Sequence, residues 1–217
     1  VVDADALTSF EDRPETLFER FASAHRQDPS LAEQAWRDLQ AIVSRDPAFD
    51  TALEGFLFSK GFLALQAYRV GHHLQQRGER LLALFIQARC NERLAIDINP
   101  ASRIGSGIML DHGTGIVIGE TAEVGDDVSI LQGVTLGGTG KESGNRHPKV
   151  RSGVMIGAGA KILGNIEIGE GAKVGAGSVV LQPVPPHTTV VGNPARQAGK
   201  PKHARPALDM DQTLDEG

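Results

Sequence analysis

The sequence predicts an α+β chain in which an N-terminal α-helical domain precedes a parallel β-helix of six-residue units. Three observations predict it. All ten aromatic residues, eight Phe with Trp36 and Tyr68, lie between Phe10 and Phe85. Twenty of the 26 glycines lie between Gly105 and Gly192. From Ile98 onward an aliphatic residue recurs every six positions, with two interruptions. At 217 residues and 40% apolar content, the chain is long enough to bury a substantial core. A single cysteine excludes a disulfide scaffold or a multi-cysteine zinc site and suits a reducing compartment. The apolar stretch near positions 81 to 88 falls far short of a bilayer span, and no signal-peptide pattern opens the chain. A soluble, cytoplasmic protein without membrane or nucleic-acid partners is expected.

The first 96 residues read as helices and are assigned to an α-helical oligomerisation domain. Ser30-Leu31-Ala32-Glu33 has the capping-box pattern, and Leu31, Ala35, Leu39, Ile42 and Val43 follow at helical spacing. Asp46-Pro47 stops that helix, and Pro47 is placed to open the next at its first position. Phe62, Leu65, Tyr68 (or Arg69) and His72 continue the rhythm until Gly78. A last helix is expected over about Glu79 to Leu94. Phe56, Phe58, Phe62 and Phe85 are many for so short a bundle and point to self-association as well as core packing.

Residues 97–195 carry the repeat. Ile98, Ile104 and Leu110, then Ile118, Val124, Ile130 and Leu136, then Val150, Ile156, Ile162, Ile168, Val174 and Val180 are 13 aliphatic positions, seven of them followed by Gly. A six-residue unit is too short for a βα repeat and fits stacked short strands and corners. Three units close a triangular coil, so residues about 18 apart stack. A narrow prism interior has room for Ile and Val but not Trp. Hexapeptide prisms coil left-handed, against the usual crossover rule, although spacing does not show the hand. A purely structural β-helix would have the same periodicity, so the repeat argues fold and not function. Residues 196–217 read as a flexible C-terminal tail, acidic at its end. Net charge is −8 over residues 1–140, +7 over 141–205 and −4 over 206–217, a basic third suited to a polyanionic ligand.

The interruptions are informative, because loops on regular scaffolds often carry function. The step from Leu136 to Val150 extrudes a loop, and the two-residue break follows Leu110-Asp111-His112-Gly113-Thr114-Gly115. Asp97-Ile98-Asn99-Pro100, Gly107 to His112, Gly119-Glu120-Thr121-Ala122, Leu136 to Lys141 with Arg146-His147-Pro148-Lys149, Ile156 to Gly164 and the Pro183-to-Pro194 corner together resemble serine O-acetyltransferase, within the hexapeptide-repeat acyltransferase superfamily. The resemblance runs from about residue 45 to 212.

The resemblance implies transfer of acetyl from acetyl-CoA, a co-substrate rather than a resident cofactor, to the hydroxyl of L-serine in cysteine biosynthesis. A serine hydroxyl needs a base at neutral pH, and histidine is best matched. His112 occupies the family's catalytic position, and Asp97 matches the carboxylate that would orient its ring. Asp46 and Asp111 match contacts to substrate serine, Arg146 suits its carboxylate, and His147 lies beside it, able to bind substrate or stabilise developing charge. Gly138 and Thr139 belong to a glycine-rich turn whose N–H groups suit an oxyanion or the cofactor. Ala158 and Ala176 match main-chain contacts to pantetheine, and Lys173, Arg196 and Lys200 are candidate phosphate partners. The resemblance also implies a homotrimer or dimer of trimers with sites between protomers, and feedback inhibition by L-cysteine. Family members dock O-acetylserine sulfhydrylase through a tail ending in Ile; this sequence ends Asp215-Glu216-Gly217, a departure from that pattern.

Competing readings remain at this point. Another hydroxyl acceptor, such as a sugar or homoserine, would use the same prism, and a catalytically inactive scaffold would keep the repeat. Some β-helices are zinc carbonic anhydrases with three histidines, but His112, His147 and His187 offer no closely spaced pair, and no metal site is expected. Cys90 has no local activating partner and reads as a small packing residue.

Overall fold

The computed structural model describes residues 14–140 and 143–211. Five helices come first: α1 (Pro14–Gln27), α2 (Ser30–Arg45), α3 (Ala52–Phe58), α4 (Lys60–Gln76) and α5 (Arg80–Leu94). Two local expectations fail. Ser30 lies inside α2 rather than capping it; the Asp28 carboxylate accepts both its N–H (3.0 Å) and its hydroxyl (2.6 Å). Pro47 opens no helix. Residues 46–50 form a turn, and the capping box sits at Thr51 and Glu54, where each side chain accepts the other's backbone N–H. After α4, Gly78 adopts φ +82°, as a helix stop requires.

The repeat forms a three-sided parallel solenoid of about five turns. The first face stacks β1 (Asp97–Ile98), β4 (Val117–Ile118), β7 (Thr135–Gly137), β10 (Lys161–Leu163) and β13 (Val179–Val180). On the second face lie β2 (Arg103–Ile104), β5 (Glu123–Val124), β8 (Lys149–Val150) and β11 (Glu167–Ile168). The third holds β3 (Met109–Asp111), β6 (Ser129–Leu131), β9 (Met155–Ile156), β12 (Lys173–Val174), β14 (Thr189–Gly192) and β15 (Ala195–Gly199). Register follows the repeat: Ile118 pairs Leu136 and Ile162 pairs Val180, each 18 residues on. Twelve of the 13 aliphatic anchors are buried, and half-buried Ile104 is the exception. The positions four residues after the anchors also point inward, except exposed Thr114 and Gly140, which lie at the interruptions, and half-buried Ile166.

Helices and prism share one core. Ala64, Leu65 and Tyr68 of α4 pack with Ile96, Ile98, Ile108 and Leu110. Asp38 of α2, fully buried, accepts from Arg69 Nε (2.8 Å) and from the Ile108 N–H (3.0 Å), and so ties two helices to a prism corner. The third face is covered on its outside. Met109 packs with Leu39, Ile42 and Phe62, and Met155 with Leu131 and Ala207.

The segment expected to be a loose tail is ordered through residue 211. β15 pairs antiparallel with β14, and a short helix α6 (Pro206–Asp209) returns over the third face. There Ala207 is fully buried and its carbonyl accepts from Ser129 Oγ (2.8 Å). The terminal Asp215-Glu216-Gly217 lies outside the described residues. Among those described, no helix is long and apolar enough to cross a membrane.

Candidate active site

The prism has three edges, and the expected site residues divide between two of them. One edge joins the third face to the first. The two-residue break falls there: β3 ends at Asp111, and His112 (φ +55°), Gly113 and Gly115 turn the chain into β4. The turn pushes the His112 side chain outward, 75% exposed, with Nε2 3.7 Å from Asp111 Oδ1. Partial burial pushes the Asp111 carboxyl above its usual range; nearby Asp46 adds to this, and His112 opposes it. Asp46 ends α2, its Oδ1 accepting the Ala48 N–H (2.9 Å). Asp46 and His112 line one cavity of about 350 Å³ with Ile42, Phe49 and Lys60. Lys60, at the start of α4, donates to Thr114 Oγ1 on the same turn.

The expected Asp97–His112 hydrogen bond is not formed here. Asp97 Oδ1 accepts from Gln87 Nε2 (2.6 Å), while the His112 ring faces Asp111. Cys90 is inert: burial, reinforced by the charge of Asp97, pushes its thiol up to about 11.

The same edge continues as a strip of stacked glycine corners. Gly133 N–H donates to Thr114 O, Gly159 N–H to Gln132 O and Gly177 N–H to Ala158 O, each at 2.8 Å. Gly115, Gly133, Gly159 and Gly177 all hold φ between 68° and 77°, and these bonds stack the corners from His112 to Ala176. Arg196 is exposed opposite Val191, toward this edge, and exposed Lys200 lies past the far end of β15. Lys173 departs from expectation. It occupies the outward row of the third face with Met109, Ser129, Met155 and Thr189, which the helices and the C-terminal segment cover, and it is 6% exposed.

The other edge, between first and second faces, carries the extruded loop. Its return places the His147 ring against Gly119; a Cβ there would lie 2.0 Å from the ring atoms Cδ2 and Nε2. His147 is buried, and burial, aided by Arg146 and Lys149 and opposed by Glu120, lowers its basicity. Arg146 donates to Glu120 Oε2 (2.8 Å), and a Cβ at Gly138 would lie 3.3 Å from Arg146 Cγ. Thr139 is exposed in the loop. Glu120 and Thr121, which hold Arg146 and His147, had no role assigned from sequence, although their motif was visible. His187 lies on the third edge, and among the described residues no group of side chains could hold a metal ion.

Two family models match the chain: "Serine acetyltransferase, N-terminal" over residues 4–67 and "Bacterial transferase hexapeptide (six repeats)" over residues 147–182. A serine acetyltransferase of Salmonella typhimurium is 63% identical over 189 residues, 87% of this chain and 69% of the relative. This chain belongs to the serine acetyltransferase family. A serine acetyltransferase solved in complex with cysteine is 55% identical, with a TM-score of 0.88 over 90% of this chain and 76% of that one. The enzyme of Brucella abortus strain S19, solved in complex with coenzyme A, is 50% identical, with a TM-score of 0.84 over 86% and 74% of the two chains.

Proposed function

We propose that the chain transfers acetyl from acetyl-CoA to the L-serine hydroxyl, in a site that two neighbouring protomers build together. The observation that carries this is the division of the candidate residues. Asp46, Asp111 and His112 stand on one prism edge, and Arg146, His147 and Gly138 on another, with the whole first face between them. Threefold packing sets one protomer's first edge against its neighbour's second. Exposed Leu53, Phe56, Phe58 and Leu81 on the helices support pairing of two such trimers.

His112 removes the hydroxyl proton as the serine oxygen attacks the thioester carbon. The tetrahedral intermediate then expels the CoA thiolate, which takes that proton from the imidazolium, giving O-acetylserine and CoA. Asp111 and Asp46 hold the substrate ammonium. The Arg146 guanidinium exchanges Glu120 for the substrate carboxylate. Asp97 accepts from the second nitrogen of His112 once the ring turns from Asp111 toward β1. Pantetheine follows the glycine strip past Ala158 and Ala176, with Arg196 toward the phosphates and Lys200, past the far end of β15, away from them. L-cysteine, the same size and charge as serine, competes for the same carboxylates and guanidinium. The single, inert thiol of Cys90 suits the cytoplasm.

The test mixes two inactive variants. His112→Ala lowers turnover by about 10² to 10⁴-fold and Arg146→Ala removes the carboxylate clamp. Coexpressed in equal amounts they form mixed trimers in which about a quarter of sites have both intact residues. Serine-dependent thiol release recovering to that level supports the shared site. A mixture as inactive as its components places the site within one chain, and thiol release with another alcohol but not serine rejects the substrate.

A further inference from the structure

The two ring nitrogens of His147 are not equivalent. Nδ1 lies 3.2 Å from the backbone N of Thr121, a group that can only donate, and 2.8 Å from Thr121 Oγ1. That hydroxyl oxygen accepts two backbone N–H groups, from Arg146 (3.0 Å) and His147 (3.2 Å). With its lone pairs engaged, the hydroxyl hydrogen is directed at Nδ1. Nδ1 is therefore an acceptor toward both donors, and the neutral ring carries its proton on Nε2. Nε2 bonds to none of the described residues and is not among their fully buried unpartnered atoms, so it keeps a face to solvent. Gly119, lacking a side chain, leaves room for that edge of the ring.

We propose that Thr121 is a positioning residue of the transfer reaction, fixing His147 as an Nε2–H donor aimed at an anionic oxygen. One residue does three things. Its hydroxyl pins the returning loop at Arg146 and His147, its hydroxyl and amide together set the tautomer, and its carbonyl accepts from Lys149. His147 then serves as a hydrogen-bond donor and not as a second base. Its acceptor is either the substrate carboxylate or the thioester oxygen that becomes negative during attack. The inference rests on the function proposed above.

Thr121→Val keeps the shape and removes the hydroxyl; Thr121→Ser keeps the hydroxyl. We expect Thr121→Val to lower kcat/KM for serine by about 10 to 10²-fold and Thr121→Ser to stay within about twofold. A loss in kcat identifies the thioester oxygen as acceptor, and a rise in the serine KM at constant kcat identifies the carboxylate. The decisive readout is ¹⁵N NMR of histidine-labelled protein, with His147 assigned by its loss in His147→Gln. Wild type should show a protonated Nε2 and bare Nδ1, and Thr121→Val a mixture of tautomers. A wild-type ring protonated on Nδ1, or a Thr121→Val protein with unchanged tautomer and rate, overturns the inference. That spectrum is independent of turnover. A correct tautomer in a protein that releases no thiol with serine would refute the reaction and leave the positioning intact.

Discussion

The contact between α4 and β3 makes a demanding prediction. Gly61 approaches β3 so closely that a Cβ would lie 2.0 Å from the Leu110 carbonyl oxygen and 2.8 Å from Leu110 Cβ. Ordinary contact begins at 3.4 Å, so in Gly61→Ala helix and strand must part by about 1.4 Å. The obstructing atom is backbone and cannot swing aside. Asp111 and His112 follow Leu110 directly, and Lys60 binds the same turn. The displacement therefore reaches the candidate base. Overpacking of this kind costs about 1 to 3 kcal/mol, or roughly 2 to 12 °C in Tm for a chain of this size. A shift of about 1 Å at a reacting group lowers turnover by about 10²-fold. Gly71→Ala in the same helix is the control. Its Cβ would meet Ala83 O and Pro100 Cβ at an unstrained 3.7 Å, so it should be neutral or stabilise by about 0.4 to 1 kcal/mol. Thermal unfolding and thiol release measured on both variants decide the matter. A Gly61→Ala protein with wild-type Tm and kcat/KM, or a Gly71→Ala protein equally damaged, refutes the reasoning.

Two further outcomes are expected. Asp38→Ala strands the buried Arg69 guanidinium and frees the Ile108 N–H, and should cost about 3 to 5 kcal/mol in denaturant unfolding; a loss below about 1 kcal/mol would show that the pair does not hold helices to prism. Asp111 has a folded pKa above its unfolded value, so its contribution is favourable below the unfolded pKa and lost as pH rises through the folded one. Asp111→Asn should accordingly raise Tm at neutral pH, with the gain vanishing in acid, and weaken serine binding; a Tm lowered at neutral pH contradicts this sign.

How far could the sequence be read? The prism was legible because its inward positions obey a strict period, and Ile98, Ile118, Leu136, Ile162 and Val180 are stacked as the spacing implies. Caps were less legible. Ser30-Leu31-Ala32-Glu33 and Thr51-Ala52-Leu53-Glu54 share one pattern, yet only the second forms the box, because Asp28 takes the Ser30 N–H first. Lys173 is hidden for a non-local reason. Outward positions on the third face are buried by helices far away in sequence, and Met109 and Met155 in the same row were the available signal. The role of Thr121 was hidden because its partners come 25 and 26 residues later, across the extruded loop.

The helical cover on the third face also bears on why a general acyl-transfer scaffold should prefer one acceptor. A bare prism would retain the glycine strip and the His112 turn, enough to lay a thioester beside a base. It would lack Asp46, which follows the last turn of α2, where Ile42 packs with Met109. On the proposed reading, a small ammonium group bound near Asp46 and Asp111 would relieve the repulsion that, with burial, raises the Asp111 carboxyl. A sugar hydroxyl brings no such charge. On the proposed reading, choice of acceptor therefore belongs to the joint between helix and prism, and the repeat supplies the thioester track. Changes at Ile42 or Gly61 should alter serine KM more than acetyl-CoA KM, and Arg196 should show the reverse.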